Sequence, residues 1–330
     1  MNGVAIRASA HLLSAALFPL RPPVASTIAR SVDHLYFALT GVTLLFTFLI
    51  FAFIFYFMIK YRRRSEDEIP QEVKTSTALE ITWTLIPTLI CAGLFIWASS
   101  LYFKDSRPPI GSTEIFVVGK QWMWQLQHPE GPREIDQLHV PVGVPIKLTM
   151  TSQDVIHDFY IPAFRIKKDV LPGRYSSIWF QATKVGEYNF YCAQYCGAEH
   201  SAMLGKVFVM RQSDYAKWLA EQSNGVSMAQ AGERLFAQLG CATCHAAPTG
   251  GKYPGLAGVY GHPVKLSDGR TVVADDAYIR NAIANPGSDL MAGYAPSMPS
   301  FQGQINEEQL LDLIAYIKSL GAQESQATAQ

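Results

Sequence analysis

Charged residues are scarce in this sequence. Lys and Arg together number 27, as do Asp and Glu, so charged residues make up 16% of the 330-residue chain, against roughly a quarter in an ordinary soluble protein. The net charge of zero at pH 7 gives no electrostatic reason to expect nucleic acid or another acidic polymer as a partner. Low charge combined with 12% aromatic residues indicates that part of the chain is embedded in a membrane.

Cysteine is also rare, and its positions are uneven. Cys91 lies in an apolar run, whereas Cys192 and Cys196 form one close pair and Cys241 and Cys244 form another. A disulfide framework in a small secreted domain usually spreads its cysteines more widely. Close pairs with histidines beside them are more typical of metal or cofactor ligands.

Two long apolar runs lie in the first third of the chain. Residues 35–59 contain no charged side chain, and residues 81–101 form a second run that includes Pro87. About 20 apolar residues span a bilayer as a helix, and proline is tolerated in such helices. We therefore predict a transmembrane hairpin over residues 31–104, preceded by a lead or signal-like segment over residues 1–30.

The loop between the two runs predicts how the hairpin is oriented. It contains a basic cluster that directly follows the first run, Arg62-Arg63-Arg64, flanked by Lys60 and Lys74. Loops with an excess of Lys and Arg stay in the cytoplasm. Both termini, and everything after about residue 104, are then expected on the external face.

The external region divides into two parts. Residues 112–210 alternate apolar and polar side chains between Gly and Pro turns, which is typical of an antiparallel barrel or sandwich. After a polar stretch at residues 223–227, residues 228–320 show a helical pattern, with helices predicted over 228–239 and 307–320. The pattern predicts an all-β domain over 105–215 followed by an all-α domain over 226–322.

The all-α part contains Cys241-Ala-Thr-Cys244-His245. Two thiols at this spacing, with histidine next in sequence, are typical of covalent attachment of a c-type haem, with the imidazole on the iron. Methionine completes the iron coordination in cytochromes c. Met298, in a stiff proline-flanked loop, is the preferred candidate over Met291. The alternatives are a redox dithiol or half a zinc site. A redox dithiol would be expected in a βαβ setting, which is absent here, and no further cysteine pair follows this one to complete a zinc site.

The all-β part contains a second cluster of potential ligands. Thiolate, imidazole and thioether groups fall within twelve residues, a soft set that favours copper. Two thiolates can bridge two copper ions, each of which then needs one histidine and one weak ligand. The alternative is a disulfide between the two cysteines in an oxidising compartment. The candidate ligands of a binuclear copper centre are His157, Cys192, Gln194 (through its backbone carbonyl), Cys196, His200 and Met203.

Several segments together resemble subunit II of haem–copper cytochrome c oxidases, in the version with a fused C-terminal cytochrome c domain. The resemblance covers about residues 33–321. It implies a multidomain membrane protein with a two-helix transmembrane hairpin, an all-β cupredoxin-like barrel at 105–215 that bears the binuclear copper site, and an all-α class I cytochrome c domain at 226–322. The segments that carry it are Leu79-Glu-Ile-Thr-Trp-Thr-Leu-Ile-Pro87, Gly119-Lys-Gln-Trp-Met-Trp124, His157-Asp-Phe-Tyr-Ile-Pro162, Leu171-Pro-Gly-Arg-Tyr175, residues 192–203 and Met298-Pro-Ser-Phe-Gln-Gly303.

The resemblance also implies a function. Electrons from cytochrome c, or from a quinol–cytochrome c reductase, are expected to pass through haem c and the copper centre to subunit I of a proton-pumping oxidase. Oxygen reduction is expected on subunit I and not on this chain, with subunit III as a further partner. The implied location is the bacterial inner membrane, with the soluble domains on the periplasmic face. Two alternatives stay open: a membrane-tethered electron carrier and a subunit of a copper-containing nitric oxide reductase.

Other residues acquire roles only through the resemblance. Glu80 matches the start of a proton path, and Trp122 matches an aromatic residue that receives electrons from cytochrome c. Many relatives have glutamate where Gln194 stands, and that carboxylate contacts magnesium. His128 and His139, like His262, have no evident partner and are expected at the surface or in loops.

Overall fold

The computed structural model describes residues 21–69, 74–222, 226–245 and 252–327, with side chains through residue 321. The chain forms two compact units. Of the described residues, those from 27 to 107 form one unit, and those up to Ser26 together with those from Pro108 onward form the other. Most of the predicted lead segment and part of the polar stretch at 223–227 lie outside the described residues.

The smaller unit contains two long helices, α1 (Ala29–Lys60) and α2 (Thr77–Asp105). Each helix extends beyond its predicted apolar run at both ends. At the start of α2, Ser76 caps the helix by accepting a hydrogen bond from the Leu79 amide. Both helices are long enough to cross a membrane. Pro87 lies inside α2 without ending it, as expected for a membrane helix.

The larger unit begins with a two-sheet β-sandwich. One sheet has the strand order β3-β2-β1-β5-β8 and the other β4-β10-β9-β6-β7. Between them lies a core that includes Trp124, Phe159 and Phe190, all fully buried. The strands are β1 (Thr113–Lys120), β2 (Met123–Gln127), β3 (Arg133–Ile135), β4 (Gln137–Pro141), β5 (Pro145–Ser152), β6 (His157–Ile161), β7 (Ile166–Val170), β8 (Ser176–Gln181), β9 (Gly186–Cys192) and β10 (Leu204–Met210).

A helical domain follows the sandwich and packs on it. Its helices α4 and α7 contact each other along their lengths, and a capping box between Ser227 and Gln230 begins α4. A short hairpin of β11 (Pro263–Lys265) and β12 (Thr271–Val273) lies between the helices. The helices after the sandwich are α3 (Gln212–Gln222), α4 (Met228–Gln238), α5 (Ala242–His245), α6 (Asp276–Ala284) and α7 (Glu307–Ala327).

Strand β1 departs from the predicted alternation. Residues 115–119 are all buried, on both faces of the strand. Ile115 and Val117 point into the sandwich core, whereas Phe116 and Val118 pack against Met228 and Leu311 of the helical domain. The outer face of β1 is therefore an interface between domains, and both faces of the strand are apolar for that reason.

Residues 21–26, the end of the predicted lead segment, belong structurally to the sandwich. Ala25 is fully buried in the core. Its amide donates to the Ala163 carbonyl at 3.0 Å, and its carbonyl accepts from the Thr183 amide at 2.8 Å. The Ser26 hydroxyl donates to the Phe164 carbonyl at 2.9 Å. These residues therefore pack and hydrogen-bond as part of the sandwich, and the chain continues from them into α1.

Two of the histidines that were expected at the surface or in loops without partners are instead packed and hydrogen-bonded. His128 is 0% exposed, and its Nε2 donates to Glu134 at 2.9 Å while its Nδ1 accepts from the Tyr215 hydroxyl at 3.1 Å. The ring of His139 also bonds Glu134 and stacks on Trp218. The expectation was wrong because α3 covers this edge of the sandwich, which local sequence does not reveal. His262 is exposed, as predicted.

Gly232 is where α4 and α7 approach most closely. A Cβ added there would lie 2.0 Å from the carbonyl oxygen of Asp312. We expect Gly232→Ala to destabilise the helical domain by about 2–3 kcal/mol, because the helices must separate to admit the methyl group. Differential scanning calorimetry of the detergent-solubilised chain measures this.

The matched control is Gly287→Ala, since a Cβ at Gly287 would meet no atom within 4 Å. This variant is expected to stay within about 0.5 kcal/mol of the parent chain. Equal stability of the two variants would contradict the close packing of α4 on α7.

Candidate copper and haem sites

The pairing of β9 with β10 gathers most of the predicted copper ligands. Cys192 ends β9, Met203 directly precedes β10, and the Cys192 amide donates to the Met203 carbonyl at 3.0 Å. The loop between them therefore closes on itself at one end of the sandwich, with His200 in a short 3₁₀ turn. His157 begins the neighbouring strand β6 and lies at the same end.

All six predicted ligands converge in this loop and at the start of β6. Cys192 Sγ is 3.8 Å from Cys196 Sγ, 3.2 Å from the Gln194 carbonyl oxygen and 3.9 Å from His157 Nδ1. Cys196 Sγ is in turn 3.5 Å from His200 Nδ1 and 3.8 Å from the Met203 sulfur. Each sulfur thus has one histidine and one weaker donor beside it, the set that two bridged copper ions would require.

The two thiols do not form the disulfide that was the alternative interpretation. Both are free, and their 3.8 Å separation is far longer than the roughly 2.05 Å of a disulfide bond. His157, Cys192 and Cys196 also form the group whose donor atoms lie close enough together to hold a metal ion. A set of two thiols, two imidazoles, a thioether and a carbonyl fits copper better than a hard cation.

The environment treats the two thiols differently. Burial opposes ionisation of Cys192, but hydrogen bonds from His157 and from nearby backbone groups outweigh it and lower its pKa to about 7. Burial and the neighbouring Cys192 charge raise the pKa of Cys196 to about 12. Two adjacent thiolates repel each other, so a bound cation would be required to keep both ionised.

Asp154 supports the site, although the sequence patterns did not single it out. Its Oδ1 is 2.9 Å from His157 Nε2, and its carboxylate accepts from the amides of Gln121 and Val155, each at 2.7 Å. Because the carboxylate accepts from Nε2, loss of the Nδ1 proton would leave His157 with a lone pair on Nδ1 that could bind a metal ion beside Cys192. The sequence feature that could have identified Asp154 is a carboxyl group three positions before a candidate ligand histidine.

Gly119 and Trp122 shape the wall of this site. A Cβ on Gly119 would lie 2.9 Å from the His157 ring, so glycine allows the ring to lie directly on β1. The indole nitrogen of Trp122 donates to the Cys196 carbonyl at 3.3 Å, and the Gln121 side chain donates to the same oxygen at 2.7 Å. Trp122 therefore lies at the predicted copper site, whereas Trp124 packs in the core.

The four predicted haem ligands line one cavity in the helical domain. Cys241, Cys244, His245 and Met298 face it together with apolar side chains such as Ile283. His245 Nδ1 is 2.9 Å from the Pro254 carbonyl. A carbonyl only accepts, so Nδ1 carries the proton and Nε2 is left free to bind iron. An apolar cavity with two thiols, an imidazole and a thioether fits a covalently attached haem.

Met291 lines the same cavity but is held differently. It pairs with Leu266 through a β-bridge and packs against the β11–β12 hairpin. Met298 instead packs against the core of α4, α6 and α7. This difference favours Met298 as the thioether ligand.

Glu80 lies in the first turn of α2 and is exposed. Its role at the start of a proton path stays a prediction.

The fold and the two candidate sites define a membrane-anchored redox protein with a cupredoxin-like domain and a cytochrome c domain. Family models match the transmembrane domain of cytochrome c oxidase subunit II at residues 17–102, its periplasmic domain at 133–209 and cytochrome c at 229–321. Cytochrome c oxidase subunit 2 of Alkalihalophilus pseudofirmus is 31% identical over 303 residues, which cover 85% of this chain and 84% of the relative. The chain belongs to the cytochrome c oxidase subunit 2 family.

A further relative and a solved structure are also similar to this chain. Cytochrome c oxidase subunit 2 of Synechocystis is 28% identical over 250 residues, covering 61% of this chain and 75% of the relative. The solved periplasmic domain of subunit II of cytochrome oxidase from Bradyrhizobium japonicum is 30% identical and covers 35% of this chain and 96% of that one, with a TM-score of 0.34.

Family membership establishes the broad features of the chain. It implies binding of copper and haem and assembly with subunit I in a haem–copper oxidase, an oxidoreductase complex. The two apolar helices and the family's transmembrane and periplasmic domains are consistent with a two-pass membrane protein.

Asp154 offers a test of the copper site. We expect Asp154→Ala to weaken copper binding about 10- to 100-fold, because His157 loses the partner that orients its ring. Titration of the copper-loaded chain with a competing chelator measures the affinity. The exposed acid Asp214, which pairs with Arg211 on the surface, provides the control Asp214→Ala. Copper affinity equal to that of the parent chain in Asp154→Ala would contradict the orienting role.

Proposed function

We propose that this chain is the electron-accepting subunit of a bacterial cytochrome c oxidase and relays electrons through haem c and a binuclear copper centre to subunit I. The observation that carries the proposal is the convergence of the six predicted ligands at the Cys192 and Cys196 sulfurs, in the same compact unit as an apolar cavity lined by the four predicted haem ligands. Each site fits a one-electron carrier.

The proposed copper ligands are four strong and two weak donors. Cys192 and Cys196 would hold the copper ions together with Nδ1 of His157 and His200, and the weaker ligands would be the Met203 thioether and the carbonyl of Gln194. A bound copper pair supplies reversible one-electron chemistry shared over two ions. The chain contributes a buried, hydrogen-bonded cage that changes little when the charge changes. A magnesium role for the Gln194 side chain is not proposed, since that side chain is an amide.

In the helical domain, Cys241 and Cys244 would anchor the haem as thioethers. His245 would bind the iron through Nε2, held in place by its hydrogen bond to Pro254, and the Met298 thioether would supply a second protein ligand. Haem supplies a second one-electron site, and methionine ligation raises its potential. The apolar walls of the cavity exclude water from the iron.

The remaining roles concern partners. The proposed donor is cytochrome c or a quinol–cytochrome c reductase, and the proposed acceptor is subunit I, with subunit III nearby. Trp122, which touches the Cys196 carbonyl, is the proposed point where electrons from an external cytochrome c enter. Glu80 at the start of α2 is proposed to begin a proton path. Oxygen reduction and proton pumping are assigned to subunit I, in the bacterial inner membrane.

Metal stoichiometry tests the proposal. The full chain, produced in a host that matures c-type haem and supplied with copper, is expected to contain two copper ions per haem iron. Electron paramagnetic resonance is expected to show one unpaired electron shared over both coppers. Cys196→Ser should abolish that signal, whereas the control Cys91→Ser, in α2, should retain it. A chain with haem but no copper, and with Cys192 and Cys196 joined as a disulfide, would refute the relay.

Ligation of the haem iron is a separate test. Met298→Ala is expected to remove the sixth ligand, which lowers the haem potential and abolishes the absorption band of methionine-ligated ferric haem. Met291→Ala, in the same cavity, is expected to retain both. Redox titration followed by visible absorption distinguishes the two variants. The opposite pattern would assign the iron to Met291.

A further inference from the structure

The segment Leu171-Pro-Gly-Arg-Tyr175 joins β7 to β8 and has no part in the ligand sets described above. We call residues 171–175 the bridging loop. It lies where the sandwich meets the helical domain, since Tyr175 packs both against the core of the helical domain and against the interface cluster around Phe116 and Leu311.

On the helical side, Arg280 of α6 holds the bridging loop. Its guanidinium donates to the Gly173 carbonyl at 2.9 Å and lies 5.9 Å from the centre of the Tyr175 ring. Only 14% of the Arg280 side chain is exposed, and Glu307 pairs with it from α7. The neighbours of Arg280 on α6, Ile279 and Ile283, line the haem cavity. One side of the loop therefore rests on a wall of that cavity.

On the sandwich side, hydrogen bonds connect the bridging loop to Asp154, the partner of the proposed copper ligand His157. The Leu171 carbonyl accepts from the Ser152 amide at 3.2 Å. The Ser152 hydroxyl oxygen accepts from the Asp154 amide at 3.2 Å, and the Asp154 carboxylate bonds His157 Nε2 at 2.9 Å. Covalent and hydrogen bonds thus run without a gap from Arg280 through Gly173, Leu171, Ser152 and Asp154 to a proposed copper ligand.

We propose that the bridging loop is the electron-conducting contact between the haem cavity and the copper site, and that Arg280 is the residue that positions it. This inference rests on the proposed function. The loop would conduct one electron, lost by ferrous haem iron and gained by the oxidised copper pair, with no covalent bond or proton exchanged. Tunnelling decays more slowly along covalent and hydrogen bonds than across open contacts, so the Arg280–Gly173 hydrogen bond is the step most sensitive to substitution.

A second contact joins the same two domains without leading to the copper site. Arg133 of β3 pairs with Glu308 and Asp312 of α7, both at 2.9 Å. This ion-pair cluster lies at the edge strand of its sheet, and no hydrogen bond described above connects it to the copper ligands. It provides the matched control, since its loss weakens docking and leaves the bridging loop intact.

The test compares Arg280→Gln, Arg280→Lys and Arg133→Gln in the full chain loaded with haem and copper. The rate of electron transfer from photoreduced haem to copper is followed by flash absorption, and the potentials of both sites are measured by redox titration. We expect Arg280→Gln to slow the transfer several-fold at unchanged potentials and metal content. Arg280→Lys should recover part of the rate, and Arg133→Gln should match the parent chain.

Three results would overturn the inference. A parent-like rate in Arg280→Gln would show that the loop does not conduct, and equal slowing in Arg133→Gln would show that docking in general sets the rate. If Arg280→Gln does not fold, Tyr175→Leu, which alters the ring contact of the same loop, must slow the transfer instead. Absence of copper or haem in the parent chain would refute the proposed function itself, a failure that metal analysis separates from the other two.

Discussion

The antiparallel pairing of β9 with β10 is the constraint on which the copper site depends. The hydrogen bond between the Cys192 amide and the Met203 carbonyl closes a loop of ten residues. This closure brings the ligand side chains of the loop close together. Two thiols, an imidazole and a thioether from one loop leave only one imidazole to be supplied from elsewhere. His157 on β6 supplies it because β6 pairs with β9 in the same sheet.

A second constraint is the docking of the helical domain on the outer face of β1. Phe116 and Val118 lie in that interface. Lys318 of α7 pairs across it with Glu114 at 3.3 Å and, within the helical domain, with Asp276 at 2.8 Å. Burial alone would lower the pKa of Lys318, but the two carboxylates outweigh burial and raise it. The lysine therefore stays charged, and removing either carboxylate would leave a partly buried charge less well compensated. Such pairs favour one docked orientation over others.

Local sequence was sufficient for features that depend on neighbouring residues. The membrane helices, the helices that became α4 and α7 and the His245 motif follow from composition and spacing over short stretches. The candidate ligands from Cys192 to Met203 were likewise visible because they lie in one loop. Asp154, Gly119 and the buried His128–Glu134–His139 cluster were not identified. Their roles come from side chains that approach across sheets or from α3, and spacing along the chain does not encode those approaches.

By itself, the sequence determined which chemistry is available: two cysteine pairs with histidine and methionine beside them, and two runs able to span a bilayer. Only the tertiary structure decided which face of β1 is covered, that the two thiols stand 3.8 Å apart as free groups, and that the bridging loop contacts a wall of the haem cavity. The physical reason is that ligand type is a property of each residue, whereas distance and burial are set by long-range packing between strands and helices far apart in the chain.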